Sequence, residues 1–254
     1  MPSRLTLLAL LSTLPLCLTA PPLPISHSLL PASAQTADTQ KAEADRLLNQ
    51  GHEQYQTSQF EAALQSWQRA LTLYRNLKNR WGEGSALGNL GLVYFYLGNY
   101  TRAIEYHQQS LAIARQIKDR QGEGALLGNL GSVYDDLGNY TKAIDYQQQS
   151  LAIDRQIKDR SGEGRSLSNL GLALFRSGKL ADAEKMLWAS IQVWESLRAG
   201  LGNNDAYKIS IFEEQARTYR LLQQVLVAQN KTNAALEIAK RGRARAFVET
   251  RLRF

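Results

Sequence analysis

Asparagine recurs at a fixed interval in this chain: Asn49, Asn89, Asn129 and Asn169 stand forty residues apart. A primary amide carries both donors and an acceptor, so a row of them can pair with the backbone of an extended chain whatever its side chains. Each such bond contributes about 0.5–1.5 kcal/mol net. The same amides can instead tie neighbouring helices together, and the residues leave both roles open. Other chemistry is poorly supplied. Asp135 and Asp136 are adjacent, so on a helix they point apart, and no third ligand stands in evident range for a metal. Gly82-Glu83-Gly84 reads as a loop and lacks the Gly-Lys-Ser/Thr of a phosphate loop. The only cysteine is Cys17, and His27, His52 and His107 do not cluster, so no nucleophile–base set, metal site or cofactor site is visible. The chemistry on offer is recognition, and no enzyme activity is expected.

Charge and composition narrow the partner. The net charge is +7, of which the tail from Ala239 to Phe254 carries +5 and Arg4 one more, leaving residues 35–238 near +1. A nearly neutral body lacks the basic face that phosphate binding needs, so nucleic acid is not an expected partner. All six prolines precede residue 35, and Ala, Leu, Gln, Arg and Glu dominate thereafter, which favours helix throughout. Residues 1–34 read as an export signal: Arg4, a mainly apolar run from Leu5 to Leu16 too short to span a bilayer, and Ala32-Ser33-Ala34 ahead of cleavage at Gln35. No membrane span is expected after cleavage, and the protein is expected outside the cytoplasm, periplasmic or extracellular.

The elements that carry the asparagines repeat with them. Gly82-Glu83-Gly84 returns at 122–124 and 162–164, Asn89-Leu90-Gly91 at 129–131 and 169–171, and Leu97-Gly98-Asn99-Tyr100 at 137–140. Leu87, Leu90, Val93, Tyr94 and Leu97 follow the three-and-four spacing of one helical face. Gly98-Asn99 breaks the chain, and a second helix from about Tyr100 places Ala103, Ile104, Leu111 and Ile117 inward before ending near Lys118-Asp119-Arg120. Gly91 and Ala103 lie where the two helices must approach closely. Trp67, Trp188 and Trp194 fall at second-helix spacings and read as core.

These units resemble the tetratricopeptide repeat. Leu87, Leu90-Gly91, Tyr94, Leu97-Gly98, Tyr100 and Ala103 fill its slots in order, as do Leu127, Leu130-Gly131, Tyr134, Leu137-Gly138, Tyr140 and Ala143. The fourth unit departs at Leu174 and Leu180 and the first at Gln54. The forty-residue spacing is similar to the extended type of kinesin light chains and Pins-like adaptors. The resemblance implies an all-α, right-handed α-solenoid of antiparallel helix pairs. Its expected units cover about 42–80, 82–120, 122–160 and 162–198. It further implies that first helices line a concave groove for a partner peptide or protein segment, the asparagines among its contacts. The family's groove positions fall on Ser85, Gly88, Asn89, Leu92, Phe95 and Tyr96 in the second unit. In the third they fall on Ala125, Gly128, Asn129, Ser132, Asp135 and Asp136. In the fourth they fall on Arg165, Ser168, Asn169, Leu172, Phe175 and Arg176.

Between Gly82–Arg120 and Gly122–Arg160 there are nine differences, and four fall at those groove positions. The harshest are Leu92 to Ser132, Phe95 to Asp135 and Tyr96 to Asp136. An apolar pocket beside an acidic one is expected, suited to a bulky residue near Lys or Arg; free drift after duplication is the plainer reading.

Beyond an insertion at Ala199–Tyr207, Ile209 to Gln229 reads as one long helix, and Ala235 to Ala239 suggests a fifth helical pair. The stretch from Ala239 to Phe247 looks like the join in cyanobacterial proteins that place these repeats before a caspase-like CHAT domain. Nothing of that domain is seen here. Two expectations follow: an exported interaction scaffold, or the recognition half of a split or truncated CHAT protease system. Self-association through a solenoid end is a weaker third.

Overall fold

The computed structural model describes residues 32–200 and 205–251. Among them are ten helices and no strand. They are α1 (Ala32–Gln56), α2 (Phe60–Asn76), α3 (Arg80–Tyr96), α4 (Tyr100–Gln116) and α5 (Arg120–Asp136). The rest are α6 (Tyr140–Ile157), α7 (Arg160–Arg176), α8 (Leu180–Ala199), α9 (Asp205–Ala228) and α10 (Thr232–Arg251). The expected leader lies outside the described residues, except that Ala32–Ala34 open α1.

The same local chemistry ends α3, α5 and α7. Gly98, Gly138 and Gly178 take φ of 72°, 74° and 81°, the left-handed corner in which a residue without Cβ is unstrained. The amides beyond them fold back, as Asn99 N–H does onto the Tyr94 carbonyl at 2.8 Å. Asn99 and Asn139 then cap the next helices through their side chains, accepting from the amides of Arg102 and Lys142 at 3.2 Å. Asp119 and Asp159 cap α5 and α7 on Gly122 and Gly162 at 2.8 Å. Gly-Glu-Gly is therefore not a loop: it lies in the first turn of α3, α5 and α7. Ile117, expected inside, sits exposed beyond the end of α4, and the first helix of each unit starts about two turns earlier than its apolar periodicity suggested.

Three repeated contacts hold the stack. Ser110, Ser150 and Ser190 donate at 2.8 Å to the carbonyls of Gly84, Gly124 and Gly164, joining the two helices of a pair. The carboxylates of Glu83, Glu123 and Glu163 each lie between two arginines: Arg75 and Arg80, Arg115 and Arg120, Arg155 and Arg160. The first arginine of each pair comes from the preceding unit, so this clasp joins unit to unit. The third contact is a column of side chains laid on glycines. Trp67, His107, Gln147 and Leu187 cover Gly51, Gly91, Gly131 and Gly171, where a Cβ would come within 2.3–2.6 Å of the covering side chain. The glycine lets both helices close; the side chain above it fills the space.

Trp67 and Trp194 are fully buried and Trp188 packs against the core. The expected insertion is shorter than its sequence suggested, because α8 runs to Ala199 and Asp205–Tyr207 already belong to α9. Tyr219, Leu222, Val225 and Leu226 of α9 join Leu187, Ile191 and Ile238 in one cluster, so α9 and α10 extend the core of the last units.

Candidate functional site

Curvature follows from which helices touch. The first helices α1, α3, α5, α7 and α9 meet one another along the stack, whereas no two of the second helices do among the described residues. The first helices are on the inside of the bend, and the side chains they present inward line a trough.

Two of the cavities along it differ in chemistry. One of about 490 Å³ is mainly apolar, walled by Leu48, Trp81, Leu92, Ile113, Ile117 and Leu126, with Asn49 and Asn89 at its edge. The other, about 420 Å³, is polar and centred on Asp135, Gln147, Arg165, Glu214 and Arg217. Leu92 and Asn129 line both, so the trough is continuous. Leu92, Phe95, Tyr96, Asn129, Asp135, Asp136, Arg165, Asn169 and Leu172, drawn from groove positions of three units, all line the polar cavity. Arg176 lies beside it on a shallow recess with Asn139 and Tyr140.

The asparagines are not equivalent. Asn89 Nδ2 donates to His52 Nε2 at 2.9 Å, and Asn169 Oδ1 accepts from Arg217 at 3.3 Å. Those two tie first helices together. Asn129 and Asn49 have no side-chain hydrogen bond among the described residues, and these amides remain available. The acidic pair is also committed in part. Arg176 reaches back one unit to Asp135 Oδ2 at 2.5 Å and to Asp136 Oδ1 at 3.0 Å. Burial raises the Asp135 carboxyl above the ordinary aspartate range against the opposing pull of Arg176. Its second oxygen, Oδ1, is buried without a donor.

Several groups in the trough escaped the sequence reading. Trp81 stands 60 % exposed, the most open large hydrophobic side chain among the described residues. Its counterparts are Gln121 and Ser161, so comparison of whole units could have marked it. His107 and Gln147 differ between otherwise copied units, the same signal, but their second-helix position suggests packing alone. Glu214 and Arg217 belong to α9, outside the repeat pattern, and only the tertiary arrangement brings them to the site. Tyr96, 59 % exposed, stacks on Phe60 with ring centroids 6.0 Å apart and meets Tyr55 edge-on, giving the trough an aromatic margin. No cluster of metal-ligating side chains occurs among the described residues, and no described helix is long and apolar enough to cross a membrane.

Comparison with known proteins agrees with this architecture. Tetratricopeptide repeat protein 28 of Mus musculus and of Homo sapiens is 37 % identical over 78 residues, 31 % of this chain but 3 % of theirs. This chain thus spans a small fraction of those relatives. Aspartyl phosphate phosphatase F of Bacillus subtilis is 19 % identical with a TM-score of 0.69, covering 84 % of this chain and 52 % of that one. A putative kinesin light chain of Podosopora anserina with nearly identical TPR-like repeats is 16 % identical with a TM-score of 0.65, covering 83 % and 98 %. A Rap protein complexed with Competence and Sporulation Factor is 15 % identical with a TM-score of 0.65, covering 79 % and 53 %. At these identities the structures share the fold alone. The tetratricopeptide repeat model matches in three overlapping windows, residues 42–116, 82–156 and 122–196, so the chain belongs to the tetratricopeptide repeat family.

Proposed function

We propose that the chain is a protein–protein interaction scaffold, as its repeat fold suggests, and that it holds an extended segment of a partner protein along its concave trough, binding it without chemical change. The observation that carries this reading is the continuity of the trough: two cavities of unlike chemistry share Leu92 and Asn129. One extended segment can thus place a bulky apolar residue against Trp81 and Leu92 and polar groups further along. Asn129, its amide unpaired, is the rung best suited to grip a backbone. The Rap protein complexed with Competence and Sporulation Factor is a precedent for this fold holding a partner.

Random peptides displayed on phage and selected on the full chain test this. Selected peptides should lose at least about tenfold in affinity on Leu92→Asp and a smaller factor on Asn129→Ala, within the 1.4 kcal/mol that a decade represents. Gln109→Ala, on the outer helix α4, serves as the control and should have no effect. Selection of no peptide, or of peptides indifferent to Leu92→Asp, would sink the proposal. Export is a further part of the proposal, supported by Arg4, the apolar run to Leu16 and Ala32-Ser33-Ala34. N-terminal sequencing of the protein from its native cells should begin at Gln35; an intact Met1 would reject it.

A further inference from the structure

We infer that the polar half of the trough is a socket for a basic side chain, a guanidinium or ammonium group presented by the bound segment. This rests on the trough being the binding face. Three oxygens there have no donor: Asp135 Oδ1, Gln147 Oε1 and Glu214 Oε2. They come from α5, α6 and α9, yet their residues line one cavity. Asp135 is 8 % exposed and Gln147 1 %, so bulk water does not substitute for the missing donors.

The orientation of each group is accounted for. Gln147 Nε2 donates to the Gly128 carbonyl at 2.9 Å, which leaves Oε1 as the unused end of the amide. Arg176 occupies Asp135 Oδ2, which leaves Oδ1. Glu214 approaches Arg217 only to 3.9 Å, beyond hydrogen-bond reach. All three are acceptors: two are carboxylate oxygens, and the donor end of the amide is spent. What complements them is a group made of donors: an ammonium carries three and a guanidinium five, the latter in a planar fork. A hydroxyl or single amide would satisfy one oxygen and leave two.

The cavity also says what should adjoin that basic residue. Arg165 and Arg217 are exposed and line the same cavity. Arg165 donates to Ser161 at 3.1 Å and Arg217 to Asn169 at 3.3 Å, while Arg217 Nη1 also stands 3.9 Å from Glu214 Oε2. A second positive charge on the segment is repelled there, and an acidic residue beside the basic one is accommodated.

The probe is the set of peptides selected on the full chain. Those that depend on Leu92 are expected to share one Lys or Arg, and exchanging it for norleucine or citrulline should weaken binding at least about tenfold, the factor expected of a desolvated charge-assisted bond. Gln147→Leu and Glu214→Gln should weaken the parent peptide and leave the neutral analogue unchanged. Gln147→Leu is structurally safe because Leu187 fills the same place over Gly171. Thermal unfolding of both variants confirms that they fold. Leu92-dependent peptides without a basic residue would overturn the socket while leaving the trough intact. So would variants that weaken charged and neutral peptides equally. Peptides indifferent to Leu92→Asp, or none at all, would fail the trough itself and the socket with it.

Discussion

His107 offers the sharpest quantitative check on the packing. It is the second residue of the column Trp67, His107, Gln147 and Leu187, and is 1 % exposed against Gly91 with Nδ1 lacking any partner. Burial lowers its pKa to about 4, since nothing nearby compensates a charged imidazolium. In the unfolded chain the ring takes its proton near the ordinary histidine value of about 6.5. Between those values the unfolded state binds more protons, so stability falls as pH falls. The loss relative to pH 7 is about 2 kcal/mol by pH 5 and about 3 kcal/mol by pH 4. The perturbation is His107→Gln, which installs the residue that the third unit already holds over its glycine. Urea unfolding followed by far-UV circular dichroism, at pH 7, 6 and 5, gives the slope for each chain. Asp135 and Asp154, whose carboxyls are raised by burial, act in the opposite sense, but they are common to both chains and cancel in the difference. The parent should lose about 2 kcal/mol more than His107→Gln over that interval. Parallel pH profiles would mean that the ring is solvated or paired, and the reasoning from its burial would be wrong.

Two further outcomes test the scaffold. Gly171→Ala sets a methyl 2.6 Å from Leu187 Cγ and should cost about 1–3 kcal/mol by overpacking. Gly98→Ala meets no atom within 4 Å and should cost only the left-handed backbone penalty of about 1–2 kcal/mol. The two are separable by repacking, since Leu187→Ala should partly rescue the first and leave the second unchanged. Glu123→Gln removes the charge shared by Arg115 and Arg120 and should cost about 1.5–3 kcal/mol at pH 7, read by chemical unfolding. Burial raises the Glu123 carboxyl, but its hydrogen bonds from Arg115 and Arg120 outweigh that and hold it below the ordinary glutamate range. The cost should therefore shrink as pH drops below about 4.5, where the unfolded carboxylate is already protonated. A cost unchanged down to pH 3 would discard the clasp.

The fold was legible because every unit restates it. Gly98-Asn99 is visible as a break, and Gly91 and Ala103 are visible as small residues at a fixed interval, because a helix pair cannot close without them. Groove positions were named by family resemblance, and residues from three units line one cavity. Their partners were not. Asp135 and Asp136 read as an open acidic pair because Arg176 is forty residues away, and only the superhelical offset between α5 and α7 brings it across. The roles of Asn89 and Asn169 stayed open for the same reason, with His52 and Arg217 on neighbouring first helices. Gly-Glu-Gly misled because glycine pairs usually mark loops, whereas here they admit a cap and Tyr74 or Trp194 against a helix start.

By itself the sequence determined the repeating helix pair, since helix period, turn residues and close approach are local properties that each unit specifies. It also showed that the harshest changes between two otherwise copied units, Leu92 to Ser132, Phe95 to Asp135 and Tyr96 to Asp136, fall at expected groove positions. Tertiary structure alone decided which polar groups are satisfied and which are left without a partner beside the trough. That depends on side chains meeting across units and on α9 arriving from outside the pattern to place Glu214 and Arg217. A hydrogen bond is settled by angstroms between residues dozens apart in the chain, and that distance exists only once the stack has formed.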